Sequence, residues 1–199
     1  MSLDLNDKTL FPVASDLPDE ASLDVNLKYV KKVANTYVPI RRWCLLVEII
    51  KHTENTLRPT YQVKDIEGRE FRVGFYVPTS QFVEIIQKCQ PGYTMAIMFA
   101  GRNVSDDDTL LIPVRELKAL EVLPCALEEL VEVAKRMDQT TVCIHCGNVA
   151  KLKCSRCGSP FCNKECLQQN WKLAHKRQCV AVQKLQEWNT LTWDTYAYA

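Results

Sequence analysis

Eight soft or borderline metal donors crowd between Cys143 and Cys179, in the order C-x2-C-x7-C-x2-C-x4-C-x3-C-x8-H-x3-C. Eight donors of this kind make two tetrahedral sites, and the set suits Zn2+ best. Each C-x2-C forms a tight knuckle whose sulfurs converge on one ion. Gly147 and Gly158 follow the second cysteine of each knuckle and supply the backbone freedom such a turn needs. Cys162/Cys166 and His175/Cys179 are i, i+4 pairs, which on a helix lie on one face about 5–6 Å apart at Cβ, close enough to share an ion. Spacing leaves the pairing open. A single site built from both knuckles would close over seven intervening residues, where the common one-zinc ribbon uses about 15–20, and this favours interleaving. With four protein ligands per ion no position is left for water or substrate. The zincs, two per chain, are therefore expected to be structural, and the protein is expected not to be an enzyme.

Ligands need elements to hold them, and the chain of 199 residues, 47% hydrophobic and 25% charged, is long enough for one ordinary domain plus a small module. Residues 1–35 are acidic, broken by Pro12 and Pro18, and expected as a mostly irregular arm with a short helix near VNLKYVKKVA. Residues 36–123 read largely as β. WCLLVEII is a buried strand; TYQVKDIEGREFRVGFYV is two strands about a turn at Glu67-Gly68. Phe71, Val73, Phe75 and Val77 alternate on one face with Arg72 on the other. TSQFVEIIQKC suits a short helix capped at Thr79 or Ser80, and YTMAIMFA, TLLIPV and ALEVL complete the strands. Five or so short strands with one inserted helix indicate a small barrel rather than a parallel sheet. Residues 124–138 form a linking helix with Leu127, Leu130, Val131 and Ala134 on one stripe. The metal module occupies 139–182 and a tail 183–199.

The order of elements also resembles an OB-fold: a strand, a hairpin with a D-x-x-G turn from Asp65 to Gly68, a helix between the third and fourth strands, then PGYTMAIMF. A closer resemblance belongs to the metal module. The ligand spacing, the aromatic Phe161 before the fifth cysteine, and NWKLAHKRQC are similar to the MYND zinc finger over about 37 residues, with all eight ligand positions present. This resemblance implies a cross-braced pair of sites, with Cys143, Cys146, Cys162 and Cys166 on zinc 1 and Cys154, Cys157, His175 and Cys179 on zinc 2. It further implies protein interaction through a groove that docks short proline-containing peptides, with Ser155 and Trp171 matching the family's positions and Leu167 standing where the family commonly has Gln. The fold class expected is α+β: a small OB-like β-barrel, a helix, and a cross-braced two-zinc MYND finger.

Charge shaped the expected partners. The segment Cys143–Cys179 holds seven basic residues and one acid, a formal +6 in a chain of +1, leaving −5 elsewhere. Seven thiolates and two Zn2+ bring the segment to +3, which weakens a nucleic-acid reading. A protein partner is thus expected and nucleic acid is not. The alternative is an OB-like barrel that binds single-stranded nucleic acid, for which Arg69, Arg72, Phe75 and Tyr76 are the candidates. A fragment of a SET-type lysine methyltransferase is more remote, because no SET catalytic motif is visible.

No run approaches eighteen apolar residues and the first twenty carry no signal-peptide pattern, so no membrane partner is expected and an intracellular location, cytoplasm or nucleus, is. Reduced thiols in such a compartment favour metal over disulfides. His145 and His52 are expected as solvated, Cys44, Cys89 and Cys125 as small buried thiols, and Asp106-Asp107-Asp108 as a solvated turn. No Ser–His–Asp or Cys–His–acid arrangement supports catalysis. The aromatic end, Trp188, Trp193, Tyr196 and Tyr198, is either a stripe folded on the barrel or an interaction tail.

Overall fold

The computed structural model describes residues 3–19, 28–34, 36–53, 57–104 and 109–196. The chain divides into two compact units: Asn6–Val122 with Thr192–Ala199, and Met1–Leu5 with Leu123–Leu191.

The first unit is built on strands β3 (Cys44–His52), β4 (Thr60–Asp65), β5 (Glu70–Phe75), β6 (Thr94–Met98), β7 (Asn103–Val104), β8 (Leu110–Val114) and β9 (Leu120–Leu123), with helix α1 (Phe82–Lys88) between β5 and β6. They form one sheet in the order β7-β8-β5-β4-β3-β6-β9. Long apolar β3 is the hinge of this topology. Its first half pairs antiparallel with β6, Cys44 opposite Met98. Its second half pairs with β4, His52 opposite Tyr61, after a register shift between Ile49 and Lys51. Such a bulge bends a strand and increases its twist, which lets one strand serve two partners at different angles. β8 then runs parallel to β5, Arg72 opposite Leu111. A β3-β4-β5 meander, a helix before β6, and a fifth strand parallel to the third are the connectivity of an OB-type barrel, in a mixed α+β protein.

Alternation decides what fills it. Val47, Ile49, Tyr61, Val63, Val73, Phe75, Met95, Ile97 and Ile112 point inward and are buried. Burying each such side chain contributes about 1.5–3 kcal/mol. The β4–β5 turn is held by Asp65, whose Oδ1 accepts from the backbone N–H of Glu67 and Arg69 while Oδ2 accepts from Ala14 N–H at 3.2 Å. Gly68 takes φ +81°, a left-handed conformation that favours glycine. Through Asp65, Ala14, Leu17 and Tyr29 the arm before residue 35 joins this core.

Three local expectations are corrected. The described part of VNLKYVKKVA is not helical: Val30–Val33 is a strand, β1, paired with β2 (Thr36–Pro39). Here pairing between neighbouring segments overrides a pattern that local spacing alone reads as a helix turn. Neither Thr79 nor Ser80 caps α1; Thr79–Gln81 is a 3-10 turn that leads into it and no side chain caps the helix. The tail question resolves in part. Arg42 N–H donates to Trp193 O and Tyr196 N–H to Ile40 O, each at 2.9 Å, so Trp193 and Tyr196 lie on the barrel, against Phe11 and Phe99. Tyr198 and Asp106–Asp108 lie outside the described residues. No described helix is long and apolar enough to cross a membrane.

The second unit contains helices α2 (Leu127–Arg136), α3 (Lys164–Asn170) and α4 (Lys176–Asn189), and the short hairpin β10 (Leu152–Lys153) and β11 (Pro160–Phe161). α2 buries Leu127, Leu130, Val131, Val133 and Ala134 and packs on α4, which buries Ala181, Val182, Leu185 and Trp188.

Candidate functional site

The two knuckles are near-copies of each other. Gly147 N–H donates to Cys143 O at 2.9 Å and Gly158 N–H to Cys154 O at 2.8 Å. Cys143 N–H donates to Asn148 O and Cys154 N–H to Ser159 O. Both glycines sit at φ +76°, so each C-x2-C folds its two sulfurs to one side. β11 carries the chain from the second knuckle toward the first: Ile144 N–H donates to Pro160 O, and Cys162 follows Phe161 directly. Cys162 is not on a helix, as its i, i+4 spacing to Cys166 predicted. It lies in a bend, because Asn163 is the extended cap residue of α3, its Oδ1 accepting from Cys166 N–H at 2.8 Å. The bend and the first helical turn still bring the two sulfurs to 3.3 Å. His175 ends a π-helical turn, Trp171–His175, and Cys179 stands one turn on in α4.

Two clusters result, Cys143/Cys146/Cys162/Cys166 and Cys154/Cys157/His175/Cys179, each with its four donor atoms within 4.8 Å of one another. Sulfurs of the first lie 3.3–3.7 Å apart along Cys146–Cys162, Cys162–Cys166 and Cys166–Cys146. Zn–S bonds of about 2.3 Å in a tetrahedron set sulfurs about 3.8 Å apart, so the cluster is near the size the ion requires. In the second, Cys157 Sγ lies 3.6 Å from His175 Nε2, which makes Nε2 the ligating nitrogen. Each cluster can hold one metal ion, and the all-Cys and Cys3His donor sets fit zinc.

The thiols differ in how readily they ionise. At Cys143 burial opposes ionisation, but backbone N–H groups of Cys146, His145 and Cys162 outweigh it and bring the thiol down to about 6. Cys154 is lowered in the same way, burial being outweighed by the backbone of Cys157 and Arg156. The partners resist. Cys166 is pushed up to about 12, first by its hydrogen bond to Cys162, and Cys179 to about 12 by burial and by the charge of Cys157. One thiolate per knuckle is thus preformed, and a cation must displace the remaining protons. Burial lowers the pKa of His175, keeping its ring neutral and able to coordinate. Phe161 and Trp171 lie edge-on to that ring, with centroids at 5.1 and 5.8 Å.

Other sequence-predicted residues fall as follows. Ser155, Leu167 and Trp171 line one open groove of about 520 Å3, together with Arg156 and Lys172. His145 is not solvated but half-buried, its ring nitrogens 3.2 Å from Gln169 Oε1 and 3.4 Å from Asn170 Nδ2. His52 is exposed and edge-on to Tyr61. Cys44, Cys89 and Cys125 are buried, and burial pushes the last two up to about 12.

On the barrel, the outward face of β4 and β5 presents Gln62, Lys64 and Arg72, with Arg69 at the turn; Phe75, named with them from the sequence, points inward and is fully buried. Tyr76 follows β5 and is 43% exposed. Its ring lies beside Gly74, where an added Cβ would come within 3.3 Å of both Tyr76 and Leu111. The guanidinium of Arg58 stacks over the same ring, 3.9 Å from its centroid. Arg58 was passed over in the sequence as part of a polar loop. The signal was available: Thr60 pairs with Gly74, and the same register carried two residues outward sets Arg58 opposite Tyr76.

No protein-family model matches this sequence, and no curated protein does. Among solved structures, the chain is similar to Schizosaccharomyces pombe Pot1pC bound to single-stranded DNA, with 12% identity and a TM-score of 0.34 over 53% of this chain and 96% of that one. It is similar to the S. pombe Stn1–Ten1 complex, with 15% identity and a TM-score of 0.35 over 54% and 85%. A third is the mitochondrial single-stranded DNA binding protein Rim1 of Saccharomyces cerevisiae, with 12% identity and a TM-score of 0.29 over 42% and 94%. Against these neighbours the expectation that nucleic acid is not a partner is withdrawn. It rested on a summed charge of −5 outside the metal module, and a sum does not describe the charge on one face.

Proposed function

We propose that this protein binds single-stranded nucleic acid on the outward face of β4 and β5, and that its metal module is a MYND-type finger whose two zincs are structural. The observation that carries the binding proposal is the exposed Tyr76 ring, level with Gly74 and stacked under Arg58, with Arg72 exposed on the same face. Surfaces that bind single strands combine aromatic platforms for bases with cations along the backbone, and the strand 2–strand 3 face is where OB-type barrels place them. Arg58 holds the ring, while Arg72 supplies charge for phosphates. Interleaved ligation supports the finger assignment: each cluster joins one knuckle to one later pair.

Fluorescence anisotropy with a labelled oligothymidine tests the binding. Saturable binding that weakens steeply with salt is expected. Tyr76→Ala should cost about 1–3 kcal/mol, the usual share of one stacked base. Arg72→Gln should flatten the salt slope by about one unit. Absence of binding at low salt, or a Tyr76→Ala chain that binds unchanged, would overturn the proposal.

A further inference from the structure

Beside the second cluster lies a cavity of about 240 Å3, and His175 forms part of its wall. His175 is 0% exposed. Because Nε2 faces Cys157 Sγ and takes the metal, the neutral ring carries its proton on Nδ1. That atom is buried without a hydrogen-bond partner among the described residues. Metal-bound imidazoles pass this proton to a carboxylate, a carbonyl or water, which fixes the ring and strengthens the ligand. The polar groups nearest to hand are engaged elsewhere: Gln186 Nε2 donates to Cys157 O at 2.8 Å, and Ser159 Oγ lies 3.1 Å from Cys157 Sγ.

The rest of the wall says what kind of acceptor fits. It includes Arg136 and Lys153 and no carboxylate. Arg136 is half-buried and anchored by its Nε to Glu132 O at 3.1 Å, while Lys153 stands exposed at the edge. A Zn2+ with three thiolates and a neutral imidazole carries −1, so the two side-chain cations exceed the cluster's charge. Guanidinium forks are matched to oxyanions. The space exceeds the roughly 30 Å3 of one water several-fold, and Val133, Met137 and Val182 give it an apolar back wall.

We propose that this cavity binds a small oxyanion, carboxylate or phosphate, which accepts the Nδ1 proton of His175 and is neutralised by Arg136 and Lys153. The ligand would complete the outer shell of the second zinc from outside the chain, so that occupancy of the cavity and rigidity of the metal site are coupled.

The test uses the zinc-loaded full chain, titrated separately with inorganic phosphate and with acetate while the His175 Nδ1–H resonance is followed by NMR. A saturable shift with either anion is expected, and the arm that saturates identifies the ligand class. Lys153→Gln and Arg136→Gln should each weaken binding about tenfold, as for loss of one charge-assisted hydrogen bond, with zinc content unchanged. Lys172→Gln, in the other groove, should leave it unaltered. If neither anion shifts the resonance at millimolar concentrations, or if both cavity variants titrate like the wild type, water alone meets Nδ1 and the proposal is overturned. Should a variant fail to fold, the wild-type titration still decides.

Discussion

The barrel unit and the finger unit reach order by different physics. In the barrel, inward side chains of β3, β4, β5, β6 and β8 form one apolar cluster reinforced by Ala14, Leu17 and Tyr29. Between residues 139 and 175 the one large apolar side chain fully buried is Phe161; the other buried side chains there are chiefly ligands. So short a segment cannot bury enough apolar surface to offset its chain entropy, and metal bonds replace a core. The contrast teaches where each unit is fragile. Spread over many contacts, barrel stability degrades by increments, whereas the finger depends on two points.

The largest effect should come from metal removal. Purified protein should contain two zincs, and chelation should unfold the finger, since structural zinc contributes about 10–16 kcal/mol of apparent binding energy in comparable modules. Circular dichroism with metal analysis would show loss of finger helix while the thermal transition of the barrel persists; a single shared transition would break the comparison. Cys154→Ala should release one zinc and leave the Cys143/Cys146/Cys162/Cys166 site loaded. Next in size is Phe75→Ala, a fully buried side chain whose loss should cost about 3–5 kcal/mol in denaturant melts while zinc content stays at two.

Acid should separate the units further. Cys143, held down to about 6, contributes stability that is present above the ordinary thiol value of 9.0 and is lost as pH falls through about 6. Cys166 and Cys179, at about 12 without metal, must shed protons to coordinate, so zinc affinity falls as pH falls. Chelator competition at two pH values would measure this, and a pH-independent affinity would contradict it. The smallest effect is local: Gly147→Ala meets nothing within 4 Å, so only its φ of +76° resists, at about 1–2 kcal/mol.

All eight ligands were legible in the sequence, because ligation depends on donor type and spacing, which the chain states directly. Five strands of the barrel were legible for the same reason: alternation of apolar residues is local. Val30–Val33 was not, since VNLKYVKKVA satisfies a helical spacing and only its pairing with Thr36–Pro39 makes it a strand. Phe75 was misjudged as a surface candidate although its alternation with Phe71 and Val73 placed it inside.

What the sequence determined by itself was the chemistry: eight donors for two ions, glycines after each knuckle, and an alternating β module. Tertiary structure alone decided that Arg58 lies over Tyr76, that Trp193 and Tyr196 lie on the barrel, and that His175 borders a cavity with its Nδ1 unmet. Donor type and periodicity are properties of neighbours along the chain. Stacking, docking and an unsatisfied proton depend on residues far apart in sequence, and those meet only once the fold has closed.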